Sequence, residues 1–151
     1  MYTRPDGGVS IVIPAPKESI EKVLGPLTDA EYDAHVRERS IPADALNVSD
    51  ILDNDMPQDR EFRNAWEQSG ITITHNLTKA KDIQLGRIRK AREPKLLELD
   101  KQFMIALEQG LDTSIIVNEK QTLRDITEPL KALAPVTIDD IKAAWPAILN
   151  N

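Results

Sequence analysis

Cysteine is missing from this chain of 151 residues, and aromatic residues number only six. The first absence removes disulfides, thiolate metal sites, iron–sulfur clusters and cysteine nucleophiles together. Long apolar runs are missing too. No stretch approaches the roughly 18 residues a membrane-spanning helix needs, and Met1 to Gly8 is too polar for the core of a secretory signal. A soluble, intracellular protein without membrane contact is expected. The chain also lacks a phosphate-binding loop, a dinucleotide fingerprint and a Gly-x-Ser-x-Gly elbow. Histidine occurs twice, at His35 in a helix-patterned stretch and at His75 at the end of a strand-patterned one. Lone histidines on two distant elements are expected to be packing or surface residues, so no enzymatic activity, cofactor or metal is expected.

What is present is an ordinary globular balance, 40% hydrophobic and 29% charged, in a length that suits one domain or two small modules. The net charge of -6 is unevenly spread. Residues 1–76 hold seven Lys/Arg against fourteen Asp/Glu, a net of -7, whereas residues 77–151 hold twelve against eleven, a net of +1. Two modules are therefore expected: an acidic α+β module over 1–76 and a helical hairpin module over 77–151.

In the front module, Tyr2-Thr3 and Val9 to Ile13 read as strands about a Pro5-Asp6-Gly7-Gly8 reversal, with Pro14 and Pro16 ending the second. Ser19 to Leu24 has the spacing of one or two helical turns. Thr28 and Glu31 form a capping box for a helix running to about Arg39. Leu46, Val48 and Ile51 suggest a short strand. Asp50, Asp53, Asn54, Asp55 and Asp59 resemble a calcium loop in composition but lack its glycine and terminal glutamate, so a solvated acidic loop is expected. Asp59 to Trp66 is expected to form a short helix with Phe62 and Trp66 on one face, and Ile71 to His75 alternates as a strand.

The back module opens with a long helix over Leu77 to Gln109, capped by Asn76 or Thr78 and closed by Gly110. Its apolar stripe comprises Ile88, Leu96, Leu99, Phe103 and Ala106, with Ala91 and Leu107 alongside, and Pro94 predicts a kink or break near Arg92-Glu93. A second helix from Asp112 or Thr113 carries Ile116, Leu123 and Ile126 and stops before Pro129. The short link at Gly110-Leu111 makes the two antiparallel. A terminal helix, capped by Thr137, buries Ile138, Ile141, Ala144 and Trp145 before Pro146. Seven cations between Lys79 and Lys95 give that segment a local net of +5. They spread around the helix and belong to an acidic chain, which disfavours nucleic acid, although a nucleic-acid-binding accessory protein is the alternative that this segment raises. Opposite charges in the two halves are compatible with self-association into a homo-oligomer.

Several blocks carry a resemblance. Gly7-Gly8-Val9-Ser10, Ile41-Pro42-Ala43-Asp44-Ala45 and Met56-Pro57-Gln58-Asp59-Arg60-Glu61-Phe62-Arg63-Asn64-Ala65-Trp66 occur in an order that resembles small proteins encoded in the structural-gene regions of tailed phages and prophages. Arg89-Lys90-Ala91-Arg92-Glu93-Pro94, Lys120-Gln121-Thr122-Leu123-Arg124-Asp125-Ile126 and Ile141-Lys142-Ala143-Ala144-Trp145-Pro146 follow the same layout. The helical part is also similar to the C-terminal segments of phage tail assembly chaperones and tail-fibre assembly proteins. The resemblance implies a non-enzymatic virion structural or tail-associated protein, located in the virion or in the host cytoplasm during assembly. Its implied partners are other phage structural proteins. An assembly chaperone absent from the mature particle is the other reading it implies. Arginine and aromatic side chains dominate protein interfaces, which makes Phe62, Arg63, Trp66, Arg89, Arg92, Arg124 and Trp145 the candidate partner-binding residues.

Overall fold

Asp6 initiates the first reversal: its Oδ1 accepts the Gly8 amide at 2.8 Å while Gly7 takes a φ of 78°. This turn joins β1 (Tyr2–Thr3) to β2 (Val9–Ser10), an antiparallel pair with Tyr2 opposite Ser10. The computed structural model describes residues 1–135 and 137–150. The chain divides into two units, Met1–His75 and Asn76–Asn151, one residue before the boundary expected from charge. The fold is α+β and mostly helical.

In the first unit, β2 stops at Ser10, three residues earlier than expected. The strand expected around Leu46 reduces to a single bridge to Thr3, because Asn47 adopts a φ of 49° that interrupts an extended path. Helix α1 (Lys17–Leu24) ends at Gly25 with a φ of 87°, and α2 (Asp29–Ser40) starts at the expected Thr28 and Glu31 capping box. Neither helix buries a residue. The short helix expected over Asp59 to Trp66 shrinks to a 3-10 turn at Arg63–Ala65. Trp66 instead begins β3 (Trp66–Ser69), which pairs in register with β4 (Thr72–His75), Trp66 opposite His75. A partner strand explains the change: β4 needs an edge to bond, and Gly70, with a φ of 61°, supplies the reversal. Met1, Val9 and Trp66 form the small apolar cluster of this unit.

The second unit is built on α3 (Leu77–Glu108), whose Asn76 side chain accepts the Lys79 amide at 2.8 Å. Pro94 does not break it; the helix is continuous over 32 residues. Proline costs a helix one hydrogen bond and a clash, and packing along the whole length outweighs that local cost. Helix α4 (Ser114–Asp125) returns antiparallel, α5 (Glu128–Ala132) follows, and α6 (Ile138–Ala143) carries the expected Thr137 cap, completed by Asp140. Pro129 was expected to stop the second helix, but α4 already ends at Asp125 and Pro129 sits in the first turn of α5, where its missing amide has no helical partner to lose. Leu85, Ile88, Leu99, Leu123, Leu130 and Leu149 make the core, with Trp145 packed against it.

Candidate functional site

The basic residues of α3 meet the carbonyl ends of the shorter helices. Lys81 Nζ donates to the Lys131 and Leu133 carbonyls, both at 2.7 Å, at the end of α5. Arg92 Nη1 donates to the Leu123 and Arg124 carbonyls, at 3.3 and 2.8 Å, in the last turn of α4. Lys95 Nζ donates to the Ile148 carbonyl at 2.9 Å, in the 3-10 turn Ala147–Leu149. The last carbonyls of a helix lack intrahelical partners and carry the negative end of its dipole, so a cation there supplies both hydrogen bonds and charge. Three of the seven segment cations thus fasten the bundle.

The seven candidates fall in different settings. Phe62 and Trp66 are buried, at 1% and 5% exposure. The Trp66 indole donates to His75 Nε2 at 3.1 Å with the two rings edge to face, which gives His75 a packing partner. Arg63 is exposed and shares a cavity wall with Trp66. Arg89 and Arg92 line one shallow groove with Leu96 and Leu97. Arg124 is exposed and meets Arg92 through its carbonyl, and Trp145 donates its indole hydrogen to Asn150 Oδ1 at 2.9 Å. In the acidic loop, Asp50 is held by Arg37, whose Nη2 reaches both carboxylate oxygens at 2.7 and 2.8 Å. No group of three or more potential metal ligands occurs among the described residues.

Sequence reasoning missed the surface at the turn of the α3–α4 hairpin. Phe103 to Leu107 is an unbroken apolar run, and Ile115 to Val117 is another. A helix can turn only part of such a run inward. Ala106 is buried, Phe103 and Ile116 are half-buried, and Lys120 lies over the Phe103 ring at 4.9 Å while pairing with Asp100. The remaining side chains, Met104, Ile105, Leu107, Leu111, Ile115 and Val117, are between 45% and 68% exposed. Leu107, expected beside the buried stripe, belongs to this outer set. Six large apolar side chains within 14 residues exceed the scattered singles of an ordinary surface. The signal available in the sequence is the length of the runs, which exceeds what one apolar stripe accommodates.

The Asp112 carboxylate accepts the Ser114 amide at 2.9 Å and the Ser114 hydroxyl at 2.7 Å, fixing the start of α4 beside this surface. These bonds, the backbone one first, hold its pKa below the usual carboxylate value. No described helix is long and apolar enough to cross a membrane. Comparisons of the chain with protein-family models, with curated proteins and with solved structures give no match.

Proposed function

We propose that the protein is a non-enzymatic, tail-associated or other structural component of a bacteriophage particle that works by binding another phage structural protein. The reading draws its origin from the resemblance carried by the Phe62-Arg63-Asn64-Ala65-Trp66 and Leu123-Arg124-Asp125-Ile126 blocks. Its mode of action draws support from one observation, the exposed apolar end of the α3–α4 hairpin. Completing the burial of six half-exposed side chains is worth about 1 kcal/mol each, enough in sum to offset much of the entropy of association. Rigid helices present the surface, which lowers the ordering cost of docking.

The same surface suits a chaperone that covers a partner's apolar segment and then leaves, and the likeness of the helical part to tail assembly chaperones favours that second reading. Mass spectrometry of purified particles separates the two. A stoichiometric copy number supports the structural component, and depletion from particles with a complex present in the producing cells supports the chaperone. Finding the chain in neither setting would overturn both.

A further inference from the structure

The acidic unit holds a pocket of opposite character. A cavity of about 310 Å³ is lined by Arg4, Arg60, Arg63 and Asn64 above an apolar floor. The Arg4 guanidinium is already engaged, Nε with Asp6 Oδ1 at 3.2 Å and Nη1 with Ser10 Oγ at 3.2 Å. It lies across Gly8, where any side chain would collide with it. The exposed Arg60 and Arg63 side chains have no hydrogen bond and no ion pair among the described residues. In a unit with twice as many carboxylates as cations, two unmatched guanidiniums on one cavity form a local anion site.

The floor has a second property. Val9, Ile11 and Ile13 all line the cavity, the alternate spacing of an extended chain, and Ile13 is 71% exposed. Beyond Ser10 the backbone groups of Ile11, Val12 and Ile13 make no backbone hydrogen bonds among the described residues. The end of β2 therefore offers unpaired main-chain donors and acceptors beside apolar and cationic side chains. Each class of group matches one part of an extended peptide.

We propose that this pocket binds an extended acidic peptide segment of a partner protein, in which carboxylate and apolar residues take turns at every second position and so share one face. The peptide backbone pairs along Ile11–Ile13, its apolar side chains cover Val9, Ile11 and Ile13, and its carboxylates pair with Arg60 and Arg63. Nucleic acid is the less suitable polyanion. Its sugar–phosphate chain leaves the aliphatic floor uncovered and cannot pair with the main-chain groups of Ile11–Ile13 as a strand does. The site shares no residue with the hairpin surface, so either can fail while the other stands.

The test is calorimetric titration of the full chain with the blocked peptide Ac-Glu-Thr-Val-Thr-Glu-Thr-Val-NH2, which carries Glu and Val on one face, its Gln-for-Glu counterpart, and a single-stranded hexanucleotide. The acidic peptide is expected to bind at least about tenfold more tightly than the Gln peptide, as expected for charge-assisted hydrogen bonds. Its affinity should fall with added salt. The R60Q/R63Q double variant, altered only at exposed positions, should lose that difference while its melting temperature stays unchanged. Equal affinity for the two peptides, absence of binding, retention of the difference in R60Q/R63Q, or tighter Arg-dependent binding of the hexanucleotide would each overturn the proposal.

Discussion

The two units solve the problem of holding helices in opposite ways. In Met1–His75, α1 and α2 hold no fully buried residue and carry polar links: Lys17 to Asp29 at 2.6 Å, the Tyr32 hydroxyl to the Ala15 carbonyl at 2.7 Å, and Arg37 to Asp50. One amide side chain also links β3 to β1 and to the Asn47–Ser49 segment. Gln68 Oε1 accepts from the Thr3 hydroxyl, and its Nε2 donates to the Asn47 carbonyl, the Ser49 hydroxyl and the Gly70 carbonyl. In Asn76–Asn151 the helices share an apolar core, and the cations of α3 finish their carbonyl ends. Charge is thus a fastening on the surface of the first unit and a helix-end cap in the second. Exposed ion pairs contribute little to stability, whereas core burial contributes most of it, so the second unit should be the more resistant.

The strongest way to break this contrast is Ile88→Ala. Ile88 is fully buried in α3, and its truncation should cost about 2–5 kcal/mol. Thermal unfolding followed through Trp145 should shift strongly while the signal from Trp66 changes little. Gln68→Ala comes next. Removing a side chain that bonds four groups should lower the stability of the first unit by about 1–3 kcal/mol. Amide exchange at Leu46 and Ser49, which pair with Thr3 and Met1, should speed up. Arg92→Met keeps the stem and removes the cap on the α4 carbonyls, and denaturant unfolding should record a loss of about 1–2 kcal/mol. An unchanged midpoint would mean that this part of the basic segment is free surface after all.

The smallest effect is that of acid on the two carboxylate caps. Glu31, bonded by the Thr28 amide and then its hydroxyl, and Asp112, bonded by the Ser114 amide and then its hydroxyl, both have folded pKa values below the ordinary 4.5 and 3.8. Each folded state binds its proton less readily than the unfolded chain. The caps therefore contribute fully above the ordinary values and are lost as pH falls through the depressed ones. Amide exchange at the starts of α2 and α4 should accelerate only in that acidic window.

Local chemistry was largely legible in the residues. Thr28 with Glu31, Thr137 with Asp140 and the Pro5-Asp6-Gly7-Gly8 reversal each carry their geometry in adjacent side chains. Features that depend on distant partners were not. Trp66 opens a strand because His75 and its neighbours lie opposite, and α3 passes through Pro94 because packing on α4 and α6 outweighs the proline. Lys81, Arg92 and Lys95 belong to the basic segment that raised the nucleic-acid alternative, and the carbonyls they bond lie far along the chain. Within the candidate site, Arg63 and Trp66 share a wall as two residues three apart can. The apolar hairpin end stayed hidden because exposure of Met104, Ile105 and Ile115 is decided by where α4 stops covering α3.

The most direct test of partner docking through that end is the double variant I105E/I115E. Two exposed charges should leave the melting temperature unchanged and reduce co-purification with the proposed phage partner, in particles or in the producing-cell extract, by about tenfold or more. Wild-type levels of co-purification by a folded I105E/I115E protein would contradict it.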